Sequence, residues 1–135
     1  MHATQDFHIS THSRTELLPI TSLVEQAVRH SGIREGLCTV YVPHTTAGVI
    51  INEQADPDVA TDILAYLDHL VPEDPRYLHR EGNSDAHIKT LLTGSSATIP
   101  IRAGRLALGT WQGIYLAEFD GPRQRSFSVS CLGDS

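Results

Sequence analysis

Cysteine is scarce in this chain, which has only Cys38 and Cys131, far apart and each within an apolar stretch. Neither has a Cys-x-x-Cys partner, so no thiolate metal site or redox pair is expected. The two read as small buried hydrophobes in a reducing compartment. Basic charge is also in short supply. Ten Lys and Arg stand against 16 Asp and Glu, a formal net charge of -6, which excludes nucleic acid as a partner held by bulk positive charge. No apolar run approaches the ~20 residues of a membrane span. The opening Met1-His2-Ala3-Thr4-Gln5-Asp6-Phe7 lacks the basic and apolar regions of a secretory signal. A cytoplasmic protein with no membrane partner is expected. A Gly-rich phosphate loop and a Ser nucleophile elbow are missing as well.

What is present describes one globular domain over residues 1–135. Forty per cent hydrophobic and 19% charged residues are enough to bury a core without a disulfide or metal staple. Phe7 to His12 alternates as a first strand. Thr21 or Ser22 caps a helix carrying Leu23, Val24, Ala27 and Val28, which Gly32 stops. Leu37–Val42 and Ala47–Ile51 read as strands. Asp56 and Pro57 open a second helix, with Val59, Ile63, Leu64, Leu67 and Leu70 at the 3.6-residue period and Pro72 after it. Glu73 to Ser84 is irregular, and Ser84 or Asp85 caps a short helix ended by Gly94. Strands follow at 97–101, 106–108, 113–119 and 126–131. The order predicts an α+β fold with about three helices and a largely antiparallel sheet.

Eight histidines are many for this length. His2, His8, His12, His30 and His69 need no site; the last two sit near helix ends, where the helix dipole favours a partly charged ring. His44 heads Pro43-His44-Thr45-Thr46-Ala47-Gly48 at a strand end. His79 precedes Arg80-Glu81-Gly82-Asn83, and His87 follows Ser84-Asp85-Ala86. Three imidazoles from a strand end, a loop and a short helix suit an open divalent-metal site. Glu53, Asp85 and Glu118 lie in the same neighbourhoods, as general bases or as groups that orient an imidazole. Asp58 and Asp62 are explained by the helix start. Trp111, in Gly109-Thr110-Trp111-Gln112-Gly113, reads as an apolar plug at a strand bend. Asp120-Gly121-Pro122-Arg123-Gln124-Arg125 is a tight turn whose guanidinium groups suit phosphate or carboxylate.

Taken together these segments resemble the YjbQ-like family, whose members are also described as secondary thiamine-phosphate synthases. The strongest stretch runs from Ser96 through Ile99, Ile101, Gly104 and Gly109-Thr110-Trp111-Gln112 to Ile114. Pro43 to Gly48, Asn52-Glu53, His79 to Asn83, Asp85 to His87 and Glu118 to Arg123 also follow the family pattern. The resemblance implies a homotrimer with sites between subunits, and a divalent metal ion (zinc or magnesium) on His44, His79 and His87. It also implies joining a hydroxymethylpyrimidine diphosphate to a thiazole phosphate with release of pyrophosphate. Our own assignment makes Thr45, Asn83, Thr110, Gln112 and Arg123 the contacts to a small phosphorylated metabolite, with Glu53, Glu118 and Asp85 catalytic. Two alternatives stand beside this: a non-catalytic trimer that binds metal or a small anion, and a metal-dependent phosphate-ester hydrolase.

Overall fold

Alternation along β8 (Gln124–Asp134) shows how the sequence sets the fold. Arg125, Phe127, Val129 and Cys131 point inward and are buried, while Ser126, Ser128, Ser130 and Leu132 face out. In the computed structural model, which describes residues 1–135, this strand is flanked by β1 (His2–Ser10) and β3 (Glu35–Tyr41). The sheet continues through β5 (Ser96–Arg102) to β6 (Arg105–Leu106), giving the order β1-β8-β3-β5-β6. A second sheet has the order β2-β7-β4, from Glu16–Pro19, Gln112–Glu118 and Ala47–Glu53. All pairings are antiparallel.

One apolar core joins the two sheets to α1 (Thr21–Ser31). It includes Val24, Val28, Val40, Val49, Ile99, Leu116 and Phe127. Phe7 stacks on Phe127 with ring centroids 5.0 Å apart. Central strand β7 is buried at every residue from Gly113 to Glu118, because its other face is covered too. There Ala117 and Phe119 pack with Ala86 of α3 (Ser84–Thr93) and with Leu64 and Leu67 of α2 (Pro57–Leu70). The fold is therefore α+β, a single compact domain of antiparallel sheets and three helices. No helix is long and apolar enough to cross a membrane.

The Asp56 cap and Gly32 stop are as expected: Asp56 accepts from the Asp58 amide at 2.9 Å, and Gly32 takes φ 71°. Other local expectations need correction. Neither Thr21 nor Ser22 caps α1. Ile20 holds the cap position with no side-chain bond, while the Thr21 hydroxyl accepts from Ile114 N–H at 2.8 Å and donates to Gln54 Oε1 at 2.6 Å. Neither Ser84 nor Asp85 caps α3, whose cap position is Asn83. The strand expected at 106–108 pairs only over Arg105–Leu106, and β2 is an additional short strand against β7. Trp111 is no plug, for it is 64% exposed. Cys38 and Cys131 sit opposite each other across β3 and β8, buried and free. Burial, with the Cys131 sulfur beside it, pushes the Cys38 thiol up to about 12.

Candidate functional site

Sheet register separates the candidate residues into two groups. Along β4 and β7, Ala47 pairs with Glu118 at one end and Glu53 with Gln112 at the other. Six residues of strand at about 3.3 Å each put the two ends roughly 20 Å apart. His44, Thr45, Glu118 and Arg123 belong to the first end, and Glu53, Thr110 and Gln112 to the second.

At the first end, a buried ion pair fixes the backbone. The Glu118 carboxylate accepts from the Arg125 guanidinium, from Thr11 Oγ1 at 2.8 Å and from the Asp120 amide at 2.9 Å. Arg125 also donates to Thr46 Oγ1 at 2.8 Å and to the Thr46 carbonyl at 3.2 Å. Burial alone would raise the Glu118 carboxyl. The bonds from Arg125, the Asp120 amide and Thr11 outweigh it and hold the carboxyl below the usual range. With its oxygens committed in this way, Glu118 is a positioning residue and not the base expected of it. It ties the loop before β4 to the turn before β8. That turn contains a cis Gly121-Pro122 bond, and a Cβ at Gly121 would lie 2.3 Å from the Ser13 carbonyl oxygen.

His44 is held by that framework. Its Nε2 accepts from the Ser126 amide at 3.0 Å, so the neutral ring carries its proton on Nδ1. Burial lowers its pKa, and the Arg125 charge adds to the effect. From an ordinary value of about 6.5, this keeps His44 neutral at pH 7, with Nδ1–H available as a donor.

The loop and α3 supply the other two imidazoles. His79 and His87 lie edge to face, with ring centroids 5.4 Å apart. Two imidazoles bound to one tetrahedral zinc at about 2.0–2.1 Å carry their ring centres roughly 5 Å apart, close to the separation of this pair. His44 does not complete the set within one chain. No group of three His, Cys, Asp or Glu side chains is arranged to hold a metal ion, and the His44 Nε2 is already engaged by the Ser126 amide. Asn83, between the two histidines, donates through Nδ2 to Asp120 Oδ2 at 2.9 Å, while its buried Oδ1 has no partner. Arg123 donates to the same Asp120 oxygen at 3.0 Å, which ties the 120–125 turn to the start of α3.

Asp85 does not orient His87. Its carboxylate lies 3.2 Å from both terminal nitrogens of Arg14 and 3.4 Å from Lys89 Nζ. Burial would raise its pKa, but these two cations outweigh burial and lower it. Lys89, itself buried, also donates to Asp68 at 2.6 Å. Asp85 therefore anchors α3 and is not placed as a base.

At the second end, Gln112 Oε1 accepts from the Gly109 amide at 2.8 Å and closes the turn that presents Thr110 and Trp111. Gly113 leaves room here for Gln54, whose own Cβ a Cβ at position 113 would meet at 2.5 Å. A cavity of about 380 Å³ runs along Thr21, Gln54, Thr110, Trp111 and Gln112. Glu53 lies opposite Gln112 in the sheet; Tyr115 Oη binds its backbone carbonyl at 2.8 Å and leaves the carboxylate free of that bond. The sequence marks Arg125 as a guanidinium suited to phosphate or carboxylate but not its burial against Glu118, and it does not mark Thr11 or Arg14. Arg125 had a signal, its parity with Phe127 and Val129 on β8. The other two had none, because their partners lie far away in sequence, Glu118 for Thr11 and Glu73 with Asp85 for Arg14.

The model of the family described as UPF0047 protein YjbQ-like matches residues 5–134. The chain is 52% identical over 128 residues to UPF0047 protein MJ1081 of Methanocaldococcus jannaschii, covering 95% of this chain and 93% of that one. It is 47% identical to UPF0047 protein YugU of Bacillus subtilis, covering 93% and 96%. Among solved structures, it is similar to a YbjQ-like protein of unknown function from Sulfolobus solfataricus. The TM-score there is 0.95, with 36% identity and 99% of each chain covered. Sequence and three-dimensional similarity extend over almost the whole length, and the chain belongs to the YjbQ-like UPF0047 family.

Proposed function

We propose that the chain works as a homotrimer on small phosphorylated metabolites, in a metal-dependent group transfer whose capability includes thiamine-phosphate synthesis. The observation that carries this reading is the division of the polar residues between two ends of β4 and β7. A metal and anion end and a ring-binding end that lie roughly 20 Å apart in one chain act on one molecule when two copies meet. The Glu53–Trp111 end of one copy then faces the His79–His87 end of the next.

His79 and His87 would hold the ion, and neutral imidazoles favour zinc over magnesium. When bound, the ion supplies positive charge where the diphosphate departs. His44 Nδ1–H, the Arg123 guanidinium and the Thr45 hydroxyl donate to phosphate oxygens, where negative charge grows in the transition state. Asn83 Oδ1 is a further acceptor for a bound donor. Trp111, Thr110 and Gln112 seat a flat heterocycle, and the Glu53 carboxylate accepts from its amine. The carbon–nitrogen bond to the thiazole forms as the carbon–oxygen bond to diphosphate breaks. The nitrogen lone pair makes the first, and the second pair leaves on pyrophosphate.

A turnover assay with both phosphorylated precursors tests this. Wild-type protein should form thiamine phosphate, and Glu53→Ala should lose about a hundredfold in rate while keeping its trimer mass by light scattering. A wild-type protein that holds metal and forms no product would replace the synthase reading with a binding protein or a hydrolase. Release of inorganic phosphate from either precursor identifies the hydrolase.

A further inference from the structure

A cavity of about 690 Å³ lies between the C-terminal half of α1 and the β5–β6 hairpin, lined by Arg29, Arg34, Arg105, Glu25, Ile33 and Leu106 among others. Three guanidinium groups face this one space in a chain whose formal net charge is -6. Arg14, Arg76, Arg123, Arg125 and Lys89 are all ion-paired, whereas Arg29, Arg34 and Arg105 are not. Glu25 also lines the cavity. Glu35 lies close by, but its Oε1 accepts from the Ala103 amide at 3.0 Å.

The walls are fixed in place. Arg34 N–H donates to the Asp134 carbonyl at 2.8 Å, and the Arg34 carbonyl accepts from Gly104 N–H at 3.0 Å. The two-residue turn Ala103-Gly104 joins β5 to β6 with both φ angles positive, 52° and 76°. A hairpin turn of this kind prefers Asn, Asp or Gly, so Ala103 carries strain, and strain of this sort collects at binding sites. The same turn sets Arg105 directly opposite Arg102. Like charges at that position repel, and of the two only Arg105 lines the cavity.

We infer that the Arg29–Arg34–Arg105 cavity is an anion site that takes the diphosphate group of a small molecule. Planar guanidinium forks bind phosphate oxygens in pairs. Three of them exceed the needs of a single phosphoryl group, and the volume is in the range of small-ligand pockets. The site adjoins the Trp111 cavity, with which it shares Glu25 and Leu106. It uses no residue of the His79–His87 pair and does not depend on the metal reading.

Isothermal titration with inorganic pyrophosphate in the presence of a chelator tests it. Wild type and His87→Ala should bind saturably at submillimolar pyrophosphate. Arg34→Ala and Arg105→Ala, both exposed and thus folded by circular dichroism, should each bind about ten- to a hundredfold more weakly. Arg80→Ala, unpaired but outside the cavity, should match wild type. Three results overturn the assignment: no saturable binding to wild type at millimolar pyrophosphate, unchanged affinity in both cavity variants, or inorganic phosphate binding as tightly as pyrophosphate.

Discussion

Glu118→Ala should destabilise the protein by about 3–5 kcal/mol, because it leaves the buried Arg125 charge without its counter-ion. Both side chains are almost inaccessible, so water cannot replace the lost carboxylate. The same change strips a partner from Thr11 Oγ1 and from the Asp120 amide. Urea unfolding at neutral pH measures the loss as a lower midpoint with an unchanged slope. Conservative Glu118→Gln keeps an acceptor and should cost less, which separates the charge from the packing. A linked pH effect follows. Glu118 and Asp85 both have carboxyls held below their ordinary values in the folded state. Their contribution is complete above the unfolded carboxylate pKa of about 4. It is lost as pH falls through the lower folded values, since the unfolded chain then binds more protons. Wild-type stability should therefore fall steeply below about pH 4, and the fall should be shallower in Glu118→Gln.

His87→Ala should abolish stoichiometric zinc binding and lower turnover at least a hundredfold, more than the 10- to 100-fold typical of losing a group that only supports a ligand. His87 is one of two rings at the spacing of a shared ion, and a single remaining imidazole cannot compete with solvent for the metal. It sits in the first turn of α3, where Arg14, Asp85 and Lys89 hold the helix independently of the imidazole. The variant should therefore fold with an unchanged melting temperature. Metal content by mass spectrometry and the thiamine-phosphate assay check the two halves separately. Lost activity with full metal occupancy would make His87 a substrate contact and not a ligand.

The fold was largely legible because its elements announce themselves by period. Val59, Ile63, Leu64 and Leu67 mark α2, and alternation marks β8. Short pieces were harder. The four residues of β2 have no pattern of their own and are defined only by Leu17 and Leu18 pairing with Ala117 and Leu116. The Thr21 hydroxyl was expected at a helix cap and is taken instead by Gln54 and Ile114, distant partners that local propensity cannot anticipate.

The arrangement of the candidate residues was not legible in the sequence. Glu118 and Asp85 read as bases because a carboxylate near a strand end or a histidine has that look in one dimension. In three dimensions each meets cations, the buried Arg125 for one and the half-buried Arg14 with the buried Lys89 for the other. Likewise, sequence spacing does not show that Glu53 and His44 sit at opposite ends of paired strands, since only the β4–β7 register fixes that.

Crystals of the wild-type protein grown with zinc, and measured with anomalous scattering at the zinc edge, should show one peak per chain between His79 and His87, with the Trp111 turn of a neighbouring copy facing it. An ion bound elsewhere, or a monomer in which the two rings stand in solvent with no peak between them, would contradict the proposal.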